Sequence, residues 1–456
     1  MKSRALAQLP RLLARGEVSF EASVLEKHAG DKWLVAHKPD AVVLPRSTKS
    51  VSIVLRFANQ HHIPITPRGA GYGYVGGCVP ICGGIVLSLA RMNRIKEING
   101  ADFVAVVQAG VITQDLQEAV EKRGLYYPPD PASRAQSFIG GNIATNAGGP
   151  RCLKYGVTRD FVLGLEAVLA NGAVVRVGGR THKNKTGFDF ARLFTGSEGM
   201  LAVITEATLK LLPLPPFRAC LAAGFASMRQ ALRAVQAIFA AGFLPSALEV
   251  ADAFTLAAAY QRTKSARLRG CRAQVIVELD GQERSVRSEL PDLQRIVRRQ
   301  GPLFIERALG AERCEEIWRM RREFSYSLRD TGLTKLNQDI VVPRGRLEDL
   351  FGFTAQLQKK HGLPIACFGH AGDGNIHVNV MVDLNQPRAA RRSRAALDEL
   401  FRQVLAWNGS ITGEHGIGLA KLPWWPIAVS REARQLHRTL KHALDPRRIL
   451  NPGKFL

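Results

Sequence analysis

Pro67-Arg68-Gly69-Ala70-Gly71-Tyr72-Gly73-Tyr74-Val75-Gly76-Gly77 is the stretch on which the reading of the fold turns. Residues 71–76 spell G-x-G-x-x-G, the fingerprint of a Rossmann dinucleotide site. That site needs a helix to open directly after the glycines, so that the helix N-terminus meets the pyrophosphate. Here Cys78-Val79-Pro80-Ile81-Cys82-Gly83-Gly84-Ile85-Val86-Leu87 follows, which reads as turn and then strand. The Rossmann reading therefore fails. A run of glycine N–H groups can still cradle an anion without a helix, and Arg68 adds a fixed charge. Taken alone, the segment reads better as a plain tight loop than as an anion site.

Two similar loops follow, Pro128-Pro129-Asp130-Pro131-Ala132-Ser133 and Ile139-Gly140-Gly141-Asn142-Ile143-Ala144-Thr145-Asn146-Ala147-Gly148-Gly149-Pro150. Small residues let backbone approach a flat ligand closely, and amide side chains supply hydrogen bonds to it. Three such loops in the first third of the chain imply a large, many-atom cofactor.

Around these loops, the first forty residues read as a helical preface. A helix is predicted over 47–60, with Val51, Val54, Leu55 and Ala58 on one face, and a short strand over 63–65. Asn171-Gly172 lies between two β-rich runs, 165–169 and 173–177, and signals a hairpin. The prolines at 213, 215 and 216 mark a boundary, since they cannot continue a helix or a central strand. Beyond it, helices over 228–241 and 283–299 alternate with a strand over 274–279, as in a second α+β domain. A helix over 431–443 precedes the tail. The organisation expected is 1–214, 215–420 and a tail, 421–456.

The chain has 456 residues, enough for two or three domains. With 46% hydrophobic and 22% charged residues, it is not a disordered chain, a collagen-like fibre or a disulfide miniprotein. No apolar run approaches the roughly 18 residues that span a bilayer. The start, Met1-Lys2-Ser3-Arg4-Ala5-Leu6, lacks the apolar core of a secretory signal, so a cytoplasmic protein is expected, with peripheral contact at an inner membrane open. Seven scattered cysteines suit reduced thiols better than a disulfide framework. The net charge of +24 favours anionic partners without naming one. Its arginine clusters (262–272, 295–299 and 388–394) show little aromatic interleaving, which supports a nucleic-acid platform weakly. A basic nucleic-acid-binding protein is the alternative from another class.

The chemistry concentrates near the end. Gly369-His370-Ala371-Gly372-Asp373-Gly374-Asn375-Ile376-His377 lies between strand-like runs, with Asp373-Gly374 as a natural turn, so His370 and His377 can face each other across a hairpin. Alternation puts His377 and Asn379 on one face. Glu414, in Gly413-Glu414-His415-Gly416, can supply a carboxylate, and two His with one carboxylate suit a divalent metal with room for substrate. Two turn histidines that only satisfy local hydrogen bonds are the other reading, and the residues alone leave both open. If Glu414 faces a metal, His415 points the opposite way, and imidazole is the natural base near neutral pH.

Taken together, the chain resembles the FAD-linked 2-hydroxy-acid oxidases and dehydrogenases: the glycolate oxidase FAD subunit, D-lactate dehydrogenase and D-2-hydroxyglutarate dehydrogenase. These are vanillyl-alcohol-oxidase-like flavoproteins. The resemblance runs from about Pro45 to Leu456, through PRGAGYGYVGG (67–77), PPDPAS (128–133), IGGNIATNAGGPRCLKYGVTRD (139–160), LFTGSEG (193–199), GHAGDGNIH (369–377), GEHGIG (413–418) and DPRRILNPGK (445–454). It implies an α+β fold: a two-lobed FAD-binding domain, a substrate-capping domain, and a tail that returns to the FAD domain.

The cofactor contacts it implies are Pro67, Arg68, Gly69, Ala70, Gly71, Tyr72, Gly73, Gly76 and Gly77 at the pyrophosphate. Pro129, Asp130, Ser133, Ile139, Gly140, Gly141, Asn142, Thr145, Asn146, Ala147, Gly148, Gly149, Glu198 and Ile204 would line flavin and adenine, with Asn451 closing over them. The 67–77 loop holds no His to tether the flavin, so non-covalent FAD is expected. His370, His377 and Glu414 match the Zn²⁺ or Mn²⁺ ligands. His415 matches the base that takes the hydroxyl proton as hydride passes to flavin N5. Arg321 matches the grip on the substrate carboxylate, a task suited to a bidentate guanidinium, and Asn379 a substrate contact. The implied activity is oxidation of a D-2-hydroxy acid to the 2-oxo acid, with electrons passed on to a partner protein, a quinone or oxygen. Tyr72, Phe138 and Met200 replace the hydroxyl residues usual in relatives. That motivates a second reading, a degenerate flavoprotein subunit with weakened FAD binding. An aryl-alcohol or sugar oxidase on the same fold is a third.

Overall fold

The structure, a computed structural model, describes residues 2–456, with side chains from Arg4 on; Met1 of the starting segment lies outside the described residues. The chain forms two compact units. The first comprises 2–148, 157–214 and 414–456, and the second 149–156 and 215–413. The tail therefore joins the first unit from Glu414, earlier than the expected break at 420/421, and the segment 149–156 is lodged in the second unit. Charge explains that lodging. Arg151 Nε donates to Glu278 Oε1 at 3.0 Å, and Lys154 Nζ donates to the Asp280 carbonyl at 2.9 Å.

The first unit is built on two sheets. One has the order Val18–Ser19, Ala41–Val43, Ile85–Ser88, Ile65–Arg68, with the last three strands parallel. The helix Thr48–His61 covers it and buries Val51, Val54, Leu55 and Ala58, as the period predicts. Ser47 caps it, its hydroxyl accepting from Ser50 N at 3.1 Å. The other sheet is antiparallel, in the order Ile95–Asn99, Val104–Gln108, Val203–Lys210, Val162–Val168, Val174–Gly178. The tail returns to the first sheet. Ile65 N donates to Ile449 O, and Asn451 N donates to Ile65 O, both at 2.7 Å.

Local corrections are small. The preface is not purely helical, since Val18–Ser19 pairs with Ala41–Val43 as an edge strand. The strand expected at 63–65 starts at Ile65, because Pro64 has no N–H to give a ladder. The hairpin expected at Asn171-Gly172 forms, Val162–Val168 pairing with Val174–Gly178 and Gly172 left-handed at φ 83°.

The second unit is one seven-stranded antiparallel sheet: Phe304–Leu309, Phe217–Phe225, Ala273–Gly281, Ala247–Asp252, Ile365–His370, Asn375–Val382, Thr334–Val341. Its register decides the site. Glu249 stands opposite His370, Phe368 opposite His377, and His377 opposite Asp339; Asn379 stands opposite Asn337, and Lys335 opposite Met381. Directly paired residues share a face, so these side chains form one polar face, while Val378 and Val380 lie on the other. The helix Ala311–Arg329 contributes Trp318, Arg321, Phe324 and Ser325 to that polar face through their contacts with Glu278, Glu249, Phe368 and Lys335.

Candidate functional site

In the first unit the 67–77 loop meets the 139–148 segment and the turn at Gly199. A Cβ on Gly69 would come within 3.4 Å of Gly141 Cα, and one on Gly199 within 3.1 Å of Pro67 Cγ. Gly140 N and Ile139 N donate to Ala109 O and Val111 O at 2.8 and 2.9 Å, fixing the start of the turn of helix Ile139–Thr145. Asn142 Nδ2 donates to Thr113 Oγ1 at 2.6 Å, and Thr145 Oγ1 to Gly141 O at 3.2 Å. Asn146, left-handed at φ 51°, accepts from Arg159 N through Oδ1 at 2.9 Å, while Ala147 O accepts from Thr158 Oγ1. Pro129 O accepts from Gln117 Nε2 at 2.9 Å, Ser133 O accepts from Ser137 N, and Asp130 and Ile204 are buried beside these turns. Gly148 is the last residue of this stretch in the first unit; Gly149 opens the segment that belongs to the second.

Several side chains named for the cofactor serve the protein frame itself. Arg68 is buried. Its Nη1 donates to Gly30 O at 2.6 Å and to Cys78 Sγ at 3.2 Å, and a Cβ on Gly71 (φ +76°) would strike its Nη2. Its charge therefore lies beneath the loop. Asp31 also sits behind the loop. Burial pushes its carboxyl up, against the pull of the Gly76 and Gly77 N–H groups and of Arg68. The glycine amides thus divide, with those of residues 76 and 77 biased toward an internal acid. Glu198, at φ 49°, accepts from Ile417 N at 2.8 Å and Gly418 N at 2.9 Å. Asn451 Nδ2 ties Gly77 O (2.9 Å) to Glu198 O (2.7 Å), and its buried Oδ1 has no hydrogen-bond partner.

The fit to a flat, many-atom group shows in where small residues leave room. A Cβ on Gly77 or Gly141 would meet nothing closer than 4.0 Å, so their missing side chains leave space rather than close packing. The buried Asn451 Oδ1 is a polar atom still to be satisfied beside Gly77, to whose carbonyl its own Nδ2 donates. Of the bulky departures, Tyr72 lies under the Lys32 ammonium, 4.6 Å from its ring centre. Met200 is buried, and its carbonyl accepts from Lys441 Nζ at 2.7 Å. Phe138 is half-buried, and its carbonyl accepts from Asn142 N.

In the second unit, Gly374 (φ +83°) closes a tight loop between Ile365–His370 and Asn375–Val382, with Gly374 N donating to His370 O at 3.1 Å. His370 and His377 are therefore diagonal neighbours, ring centres 5.6 Å apart and nearly perpendicular. Asp339, opposite His377, accepts from Gly413 N and Thr412 Oγ1, each at 3.0 Å, and so anchors the turn that leads one peptide bond further to Glu414. Among the described residues, His370, His377 and Glu414 are the group whose ligand atoms all lie within 4.8 Å of one another. Asn379 Nδ2 donates to Ala366 O and His377 O, leaving its buried Oδ1 without a hydrogen bond. The His415 ring packs against that of Tyr74, 5.2 Å between centres.

Sequence reasoning missed Glu249. It is fully enclosed, accepting from His370 Nδ1 at 2.5 Å through Oε1 and from Arg321 Nε at 2.7 Å through Oε2. Burial pushes its carboxyl up, but His370 and Arg321 outweigh that and hold it down at about 2. The signal was available: a lone acid inside the apolar run Ala247-Leu248-Glu249-Val250-Ala251 must have a partner. The same contact qualifies the reading of Arg321, since its Nε and Nη2 are already engaged by Glu249. Burial pushes Lys335, hydrogen-bonded to Ser325 Oγ at 2.8 Å, down to about 8.

Comparison with known proteins bears on both units. Residues 39–178 match the FAD binding domain, and residues 214–455 match the C-terminal domain of FAD linked oxidases. The chain is 39% identical to glycolate oxidase subunit GlcD of Bacillus subtilis over 91% of its own length and 89% of the relative's. It is 32% identical to a D-lactate dehydrogenase of Anaerostipes hadrus, covering 92% and 90%. Among solved structures, p-cresol methylhydroxylase with bound substrate superimposes with a TM-score of 0.80 at 19% identity, covering 99% of this chain and 96% of that one. This likeness is one of fold alone. No helix among the described residues is long and apolar enough to cross a membrane. The chain belongs to the FAD-linked oxidases, on a vanillyl-alcohol-oxidase-type α+β fold with FAD as its cofactor.

Proposed function

We propose that this protein oxidises a D-2-hydroxy acid to the 2-oxo acid. The observation that carries the reading is the grouping of the ligand atoms of His370, His377 and Glu414 within 4.8 Å, with His370 tied through Glu249 to Arg321. The names of the relatives, glycolate oxidase and D-lactate dehydrogenase, point to the same substrate class. Bound FAD supplies the hydride acceptor, held by the 67–77, 129–149 and 198–204 loops and by Asn451. A divalent ion held by the two imidazoles and the carboxylate supplies Lewis acidity to a hydroxy acid's oxygens.

The chain's own residues do the rest. Arg321 meets the substrate carboxylate with its Nη1 edge, since the other edge is given to Glu249. His415, next in sequence to Glu414, takes the hydroxyl proton on an imidazole nitrogen. Asn379, buried and fixed by two backbone carbonyls, offers its Oδ1 to the substrate side.

The test is an anaerobic absorbance scan of the purified flavoprotein with a panel of D- and L-2-hydroxy acids. Bleaching of the flavin by D-acids that is lost in His415→Ala is the expected result. A flavin that no hydroxy acid reduces would overturn the reading.

A further inference from the structure

We propose that Glu249 is a positioning residue that couples the metal-binding histidine to the substrate-binding arginine: one carboxylate sets both the tautomer of His370 and the edge that Arg321 presents. This rests on the functional reading above.

Glu249 is 1% exposed, so no bulk water competes for its oxygens. One oxygen faces His370 Nδ1 and the other takes Arg321 Nε and Nη2. An ionised carboxylate only accepts, so the proton of a neutral imidazole sits on Nδ1 and Nε2 is the nitrogen that would meet the metal. The placement is fixed by the sheet. Glu249 and His370 are direct partners on adjacent antiparallel strands, and Val250↔Gly369 and Ala251↔Phe368 continue the same register. A slip would carry both residues to the opposite face.

Arg321 is fixed in turn. Its guanidinium lies 4.8 Å from the ring centre of Phe368, and Phe368 faces His377 across the hairpin. With Nε and Nη2 spent on Glu249, the planar fork has one orientation and shows Nη1 outward. The other acids on this face are committed elsewhere, Glu278 to Arg151 and Trp318, and Asp339 to Thr412 and Gly413. Loss of Glu249 should therefore weaken metal binding and substrate binding together.

The test uses the flavin-loaded full chain. Zn²⁺ affinity is read by competition with a chromogenic chelator, and steady-state kinetics are run on the best D-2-hydroxy acid. In Glu249→Ala, Zn²⁺ binding is expected to fall about 10–100-fold. In Glu249→Gln, an acceptor for His370 remains but an amide N–H faces Arg321, so KM is expected to rise about tenfold or more with a smaller fall in kcat. Glu249→Asp, one methylene short but still charged, should show the same two effects if the other variants fail to fold. Variants that fold, bind Zn²⁺ as the wild type does and keep its KM would overturn the proposal alone. A wild type that takes up no Zn²⁺, or whose flavin no hydroxy acid reduces, would overturn the underlying reading and this one with it.

Discussion

The Glu198 carboxylate accepts the N–H of Ile417 at 2.8 Å, binding residues 219 positions apart in the sequence within one unit. Its second oxygen takes Gly418 N at 2.9 Å, and a Cβ on Gly416 would lie only 2.7 Å from Oε1. The loop after Glu414 and His415 is therefore closed onto this acid. Replacing Glu198 by Ala strands two buried donors, at about 1–3 kcal/mol each. Glu198→Ala should lower the urea-unfolding free energy by about 2–6 kcal/mol, and Glu198→Gln, which keeps one acceptor, by less. Equal stability of the three proteins would sink this account.

Glycines in the first unit divide into those the fold needs and those that leave room for a ligand. At Gly84, φ is +78° and a Cβ would lie 2.2 Å from Pro64 O, so Gly84→Ala should cost at least about 2 kcal/mol. At Gly77 a Cβ meets nothing closer than 4.0 Å. Gly77→Val should leave the melting temperature of the FAD-free protein unchanged and weaken FAD binding about tenfold or more. The two variants separate by comparing thermal melts with FAD titration. A Gly77→Val protein that retains wild-type FAD affinity would show that the space is not used.

Most of the architecture was legible because periodicity and punctuation are local. The buried stripe of 48–61, the proline boundary before 217 and the Asp373-Gly374 turn each follow from a few neighbouring residues. What escaped the sequence is register across strands. Glu249 meets His370 from 121 positions away, and Asp339 anchors Gly413 from 74 away. No local pattern encodes such pairs. Arg68 misled for a related reason: its charge beside a glycine loop suggests an anion site, but burial turns it onto Gly30 O and Cys78.

The His370, His377 and Glu414 group makes metal removal informative. Treatment with a chelator should leave the flavin spectrum unchanged and slow anaerobic flavin reduction at least about a hundredfold, the worth of several kcal/mol of charge stabilisation. Glu414→Gln should behave like the chelated protein and recover little on adding Zn²⁺ or Mn²⁺. Metal analysis together with stopped-flow reduction checks both. Full reduction by a metal-free protein would leave these three residues a structural cluster.

Lys335 carries a stability cost with a defined pH signature. Burial, reinforced by the charge of Arg329, holds its ammonium down at about 8, against 10.5 when solvated. Between those values the unfolded chain binds more protons than the folded one, so stability rises with pH through the window from about 8 to 10.5. Below it, the penalty for burying the charge is present in full, an upper bound of about 3 kcal/mol. Lys335→Met should therefore be the more stable protein at pH 7, and its advantage should shrink as pH climbs toward 10.5. Urea unfolding of both proteins at pH 7 and pH 10 measures this directly, with the charge-independent loss of the Ser325 hydrogen bond common to both conditions. A difference between the proteins that does not change with pH would mean that Lys335 is already hydrated in the folded state.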